Sequence, residues 1–142
     1  MFLVDTNVWL ERLLDQERAD EAGRFLAAVE ASDLVITDFS LYSIGIILCR
    51  LGKEEVFEDF VSDTLLDSGV SRFRVDAEDM RQLLAARRQF TLDFDDAYQY
   101  VAAMKTDAII VSFDDDFDRT DRGKKTPAEA LAQIQSPPGQ PG

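Results

Sequence analysis

Short apolar runs alternate along the chain with longer segments of helical spacing. "FLV" at 2–4 and "LVIT" at 34–37 are brief and almost wholly apolar, as strands buried on both faces are. "RFRV" at 72–75 has the two-residue period of a strand, and "AIIV" at 108–111 is again continuous. Between them, "NVWLERLL" puts Trp9, Leu10, Leu13 and Leu14 on one helical face, with Thr6 or Asn7 expected as N-cap. "ADEAGRFLAAVE" repeats the spacing through Ala22, Phe25, Leu26 and Val29. "LYSIGIILCRLG" is apolar nearly all round, which predicts a buried helix capped by Asp38 or Ser40, ending near Gly52 and enclosing Cys49. "KEEVFEDFVSDTLL" is amphipathic through Val56, Phe57, Phe60, Val61 and Leu65. Asp76 opens a helix with Met80, Leu83 and Leu84 expected inward. "FTLDFDDAYQYVAAMK" holds another, capped near Asp95, with Ala97, Val101 and Met104 on one side. "TPAEALAQI" gives a last short helix with Pro127 in its first turn.

Strands alternating with helices in this way predict an α/β fold, three layers deep, with a central parallel sheet. One domain over 1–135 and a disordered tail, "SPPGQPG" at 136–142, are expected. In open parallel sheets the working site lies beyond the carboxyl ends of the strands. Asp5 follows "FLV" and Asp114 follows "AIIVSF", so both should emerge at that edge.

Composition narrows the chemistry. The 142 residues contain no His, which removes imidazole acid–base catalysis and Ser-His-Asp arrangements. One Cys excludes an internal disulfide and a multi-Cys zinc site. Chemistry here must rest on carboxylates, hydroxyls, lysines or a bound metal. The start "MFLVDTNVW" lacks the features of a signal peptide and no apolar run has membrane-spanning length, so a cytoplasmic protein is expected. The net charge of −13 opposes general affinity for polyphosphates. Its distribution is uneven: residues 1–71 hold fifteen acids and five bases, residues 72–142 thirteen acids and ten bases. Arg87, Arg88, Arg119, Arg122, Lys124 and Lys125 fall in the second half, the last four directly after the Asp114–Asp116 cluster, so that an acidic group is rimmed by cations.

Taken singly, the acids have ordinary roles. Asp5 could cap a helix, Asp114 could belong to a turn, and Asp96 could be a first-turn acid favoured by the helix dipole. Taken together and in order, "LVDTN", "LDFDDAYQYVAA" and "IIVSFDDDF" resemble the PIN domain family, including toxins of VapC type. The resemblance covers residues 1 to about 134. It implies that Asp5, Asp96 and Asp114 are catalytic and gather at one Mg²⁺ or Mn²⁺ site. Asp116 stands where many members carry an additional acid. Thr6, Asn7, Ser43 and Ser112 are supporting positions, Ser112 standing at the usual Thr and Phe117 at the closing Phe. The implied activity is metal-dependent cleavage of RNA that leaves a 5′-phosphate. The implied partners are RNA, an antitoxin and a second copy of the chain, with Arg87, Arg88, Arg119, Arg122, Lys124 and Lys125 as candidates to grip the RNA backbone. Hard divalent ions suit such a site, because Mg²⁺ is commonly held by a few carboxylates, waters and substrate phosphate oxygens.

One family position departs. Where members usually carry a Glu in the helix after the second strand, aligning "ITDFSLYSIGII" puts Ser43, a neutral and weaker ligand. Asp38 is the nearest acid, but five positions earlier lies about 140° around a helix, and N-cap is its simpler role. Two readings therefore stand: a metal-dependent ribonuclease, or a PIN-fold module that binds RNA or protein and cuts weakly or not at all. Two other Asp-rich α/β classes fit less well. A haloacid-dehalogenase-like phosphatase wants an Asp where Asn7 stands, and the order of acids does not suit a receiver domain.

Overall fold

The computed structural model describes residues 1–136; the expected tail lies, apart from Ser136, outside the described residues. Four strands, β1 (Phe2–Val4), β2 (Leu34–Thr37), β3 (Ser71–Phe73) and β4 (Ile109–Val111), form one sheet in the order β3-β2-β1-β4, every pairing parallel. The registers Phe2↔Leu34 and Phe2↔Ile109 place β1 centrally, with β2 and β4 beside it. Two-residue alternation then divides the side chains between two cores. Phe2, Val4, Leu34, Ile36 and Val111 join one cluster, and Leu3, Val35 and Ile110 the other.

The first cluster is covered by α1 (Thr6–Leu13), α2 (Ala19–Ala28), α3 (Asp38–Arg50), α4 (Glu54–Phe60) and α7 (Pro127–Gln135). The second is covered by α5 (Met80–Phe90) and α6 (Phe94–Thr106). This is the expected three-layer α/β/α arrangement. Phe2 and Phe25 meet edge to face at 5.4 Å on one side, and Phe90 and Tyr100 at 5.2 Å on the other.

Several local expectations are corrected. Each helix that carries the acids starts one or two residues earlier than expected. Asp5 itself caps α1, accepting from Thr6 N, and Thr37 caps α3, accepting from Ser40 N. Asp93, not Asp95, caps α6 by accepting from Asp96 N. The amphipathic segment after Gly52 is not one α-helix: α4 passes into a π-helical stretch, Val61–Asp67. Val56 and Val61, like Phe60 and Leu65, are five positions apart, and the wider turn keeps all four against the first core. Leu84 points outward, 40% exposed. Nor is α3 buried all round. Tyr42, Ile46 and Cys49 form an exposed ridge at i, i+4, i+7, because only the Leu41–Ile44–Leu48 face reaches the core.

The domain closes through its last helix. Thr126 and Glu129 form a reciprocal capping box at α7, and Glu21 of α2 accepts from Ala128 N at 3.1 Å. Thr126→Ala should cost about 1 kcal/mol of stability, seen as a lower urea midpoint with an unchanged slope. An unchanged midpoint would mean that α7 contributes nothing to the cooperative unit.

Candidate active site

The carboxyl ends of β1 and β4 and the N-terminus of α6 converge on one cleft of about 340 Å³. Asp5, Thr6 and Asn7 line it from the β1–α1 junction, Asp93, Asp95 and Asp96 from the start of α6, and Asp114 from beyond β4. The fourth wall is α3, whose Phe39, Ser43 and Ile47 recur at four-residue spacing on one face. Ser43 thus faces the cleft where the resemblance placed a carboxylate.

Asp5 is buried, and both of its carboxylate oxygens are engaged. Oδ1 accepts from Thr6 N at 2.9 Å and from Gln99 Nε2 at 2.9 Å; Oδ2 accepts from Ser112 Oγ at 2.7 Å. Burial pushes its carboxyl above the ordinary value, and the bonds from Gln99, Ser112 and Thr6 oppose that push. Ser112 is the hub between β1 and β4. Its hydroxyl donates to Asp5 and accepts from Asn7 Nδ2 at 3.2 Å and Asp114 N at 2.9 Å. Asn7 Oδ1 in turn accepts from Phe113 N. Thr6 reaches the other way, its hydroxyl 2.8 Å from Ser40 Oγ.

Asp96 sits in the first turn of α6, where the helix dipole suits an anion. Its Oδ2 is buried without a hydrogen-bond partner. Burial raises its pKa to about 8, and the charges of Asp114, Asp93, Asp5 and Asp116 add to the rise. Asp114 caps the short 3₁₀ turn Asp115–Arg119, its Oδ1 accepting from Asp116 N at 2.8 Å. Asp96, Asp114 and Asp116 each bring a carboxylate oxygen within 4.8 Å of the other two. Three converging acids, one with an orphaned buried oxygen, fit the oxygen-donor set that Mg²⁺ or Mn²⁺ takes. Asp5 lines the same cleft without belonging to that closest trio.

The remaining acids and cations are placed differently. Asp38 lies against Arg72, its Oδ1 2.9 Å from Arg72 Nε but outside hydrogen-bonding alignment. It does not line the cleft, so it does not replace the acid missing at Ser43. Asp115 is exposed and paired with Lys124, which also meets Asp118. Arg119 pairs with Asp116 at 3.1 Å and Arg122 with Asp107 at 3.1 Å. Lys125 uses its backbone to extend β4, accepting from Ser112 N and donating to Ile110 O. Arg87 and Arg88 are exposed in the last turn of α5. None of these six cations lines the cleft.

Thr37, Ser40 and Gln99 had not stood out in the sequence. Thr37 reads there as a strand end and Ser40 as a candidate cap of α3. The signal available was a polar residue on the buried stripe of α6, three positions after Asp96.

A doubly covered parallel sheet with carboxylates gathered beyond its strand ends defines an α/β protein with an acidic, cation-competent site. The chain belongs to the PIN domain family, whose pattern it matches over residues 2–123. Solved structures share the fold at low identity. The sarcin–ricin-loop-cleaving toxin VapC20 of Mycobacterium tuberculosis is 20% identical, with a TM-score of 0.71 over 83% of this chain and 93% of that one. A toxin–antitoxin complex from Klebsiella pneumoniae is 19% identical, with a TM-score of 0.72 over 91% and 99%. FitAcB from Neisseria gonorrhoeae is 19% identical, with a TM-score of 0.72 over 89% and 98%. No curated protein matches the sequence. Among the described residues, no helix is long and apolar enough to cross a membrane.

Proposed function

We propose that the protein is a divalent-metal-dependent endoribonuclease acting in the cytoplasm as the toxin of a toxin–antitoxin pair. The observation that carries this reading is the convergence of Asp96, Asp114 and Asp116, with Asp96 Oδ2 buried and unpartnered. Those three residues would hold Mg²⁺ or Mn²⁺, with Asp5 facing the same cleft. A bound ion of this kind supplies an activated water and neutralises charge developing on a phosphodiester. Ser112 holds Asp5 and the Asp114 backbone in one register, so the acids from β1 and β4 approach the scissile phosphate as a unit. Apart from Arg119, which pairs with Asp116, the cations stand away from these acids and leave the cleft acidic. RNA therefore needs the metal to enter, and general RNA affinity stays low at a net charge of −13.

Two surfaces suit the proposed partners. A cleft of about 370 Å³ between α1, α2 and the π-helical stretch is lined by Trp9, Leu13, Leu26 and Phe60. An antitoxin segment with apolar side chains would fill it. The Tyr42–Ile46–Cys49 ridge of α3 is the corresponding candidate for pairing two copies.

The second reading, a PIN-fold module that cuts weakly or not at all, draws on Ser43. One experiment tests both readings. Purified protein is given structured and single-stranded RNAs with Mn²⁺, with Mg²⁺ or with EDTA. Cation-dependent cleavage supports the enzyme; cleavage insensitive to EDTA excludes it. Ser43→Glu adds the missing carboxylate to the cleft wall and should tighten Mn²⁺ binding by about 10-fold. A variant that binds Mn²⁺ no better would show that Ser43 does not face the ion.

A further inference from the structure

Gln99 is 1% exposed, lies on α6 one turn after Asp96, and makes three hydrogen bonds to three different elements. Its Nε2 donates to Asp5 Oδ1 at 2.9 Å and to Ser40 Oγ at 2.8 Å. Its Oε1 accepts from Thr37 Oγ1 at 2.7 Å. The direction of the amide is determined by its neighbours. An ionised Asp5 carboxylate only accepts, so the Gln99 group facing it must be the NH₂ donor. The carbonyl of Gln99 then faces Thr37, whose hydroxyl donates to it while accepting from Ser40 N.

That orientation limits what Asp5 can do. A carboxylate has about four lone-pair positions, two on each oxygen. Oδ1 gives both of its positions to Thr6 N and Gln99 Nε2, whereas Oδ2 gives one to Ser112 and keeps one. We propose that Gln99 is a positioning residue, which fills Oδ1 of Asp5 so that a cation in the cleft meets Asp5 through Oδ2 alone. The inference rests on the metal-binding reading above. Because Gln99 and Asp96 share α6, the same side chain also fixes the spacing between the carboxylates delivered by α6 and β1. A site lacking the usual acid at Ser43 has fewer charges to hold an ion by attraction. Preset geometry at Asp5 then carries more of the affinity.

Gln99→Met keeps the length and burial of the side chain and removes the donor. Mn²⁺ binding to the metal-free chain, followed by electron paramagnetic resonance of the free ion, should weaken about 10-fold or more. RNA KM should stay unchanged at saturating Mn²⁺ while kcat falls. The thermal midpoint in EDTA reports the fold separately. If the Met variant does not fold, Gln99→Asn retains a buried amide one methylene too short to span Thr37 and Asp5 together, and should weaken Mn²⁺ binding by a similar factor. Wild-type affinity in either folded variant overturns the proposal. Wild-type protein that binds no Mn²⁺ overturns the metal reading itself and removes this inference with it.

Discussion

Asp114→Asn should reduce Mn²⁺-dependent RNA cleavage by about 100-fold or more, with little change in fold. The side chain does two jobs that the substitution separates. As the cap of the 3₁₀ turn, its Oδ1 accepts from Asp116 N, and an Asn side-chain oxygen accepts equally well. As a member of the Asp96–Asp114–Asp116 trio it supplies charge that an amide lacks. The turn should therefore persist while the ion is lost. Asp115→Asn is the matched control, because Asp115 is exposed and paired with Lys124 away from the cleft; its activity should stay within about two-fold of wild type. Cleavage rates at fixed Mn²⁺ decide the matter, and equal losses in the two variants would argue against a specific ligand role for Asp114.

Asp96→Asn should move stability and activity in opposite directions. Without an ion, Asp96 is crowded by four other acids and keeps one oxygen buried and unpartnered. Burial and those charges raise its pKa to about 8 in the folded chain, against about 3.9 unfolded. The folded state then holds a proton that the unfolded state has released, so stability falls as pH rises from about 4 to about 8 and levels off above that. The metal-free wild type should melt progressively lower across this window. Asp96→Asn should flatten the decline and raise the midpoint by several degrees near pH 8, where Mn²⁺ should do the same for wild type by binding the folded state alone. Melting curves in EDTA at pH 5 and pH 8 read this directly. A variant that melts below wild type at pH 8 would show that Asp96 is satisfied by a partner and is not waiting for an ion.

The alternation of strands and helices was legible because each strand is short, apolar and bounded by a polar residue that starts a helix. The layers were legible because "FLV" and "LVIT" are apolar throughout, as strands covered by helices on both faces are. What sequence could not convey was contact across the sheet. Asp5 and Ser112 are 107 positions apart, and nothing in "DTN" or "VSF" says that one hydroxyl joins them. Gln99 was hidden for the same reason, since its partners lie just beyond β1, on β2 and on α3. The capping errors have a simpler cause. Several candidate caps stand side by side at "DTN", "TDFS" and "LDFDD", and the choice among them depends on where the preceding strand or loop ends. Cys49 was misjudged because a helix apolar all round reads as buried even when one of its faces meets no other element. The cations after the Asp cluster read as free from sequence alone, yet three of them are tied up by neighbouring acids.

The central strand has a consequence for how the protein is made. Of its two neighbours, β4 is translated more than 100 residues after β1 itself. Asp5 cannot meet Ser112 or share a cleft with Asp114 until that late segment has been synthesised, and closing so long a loop comes late in folding. A nascent chain therefore carries no assembled acidic cleft. The site can form only after β4 and the segment bearing Asp114 have left the ribosome.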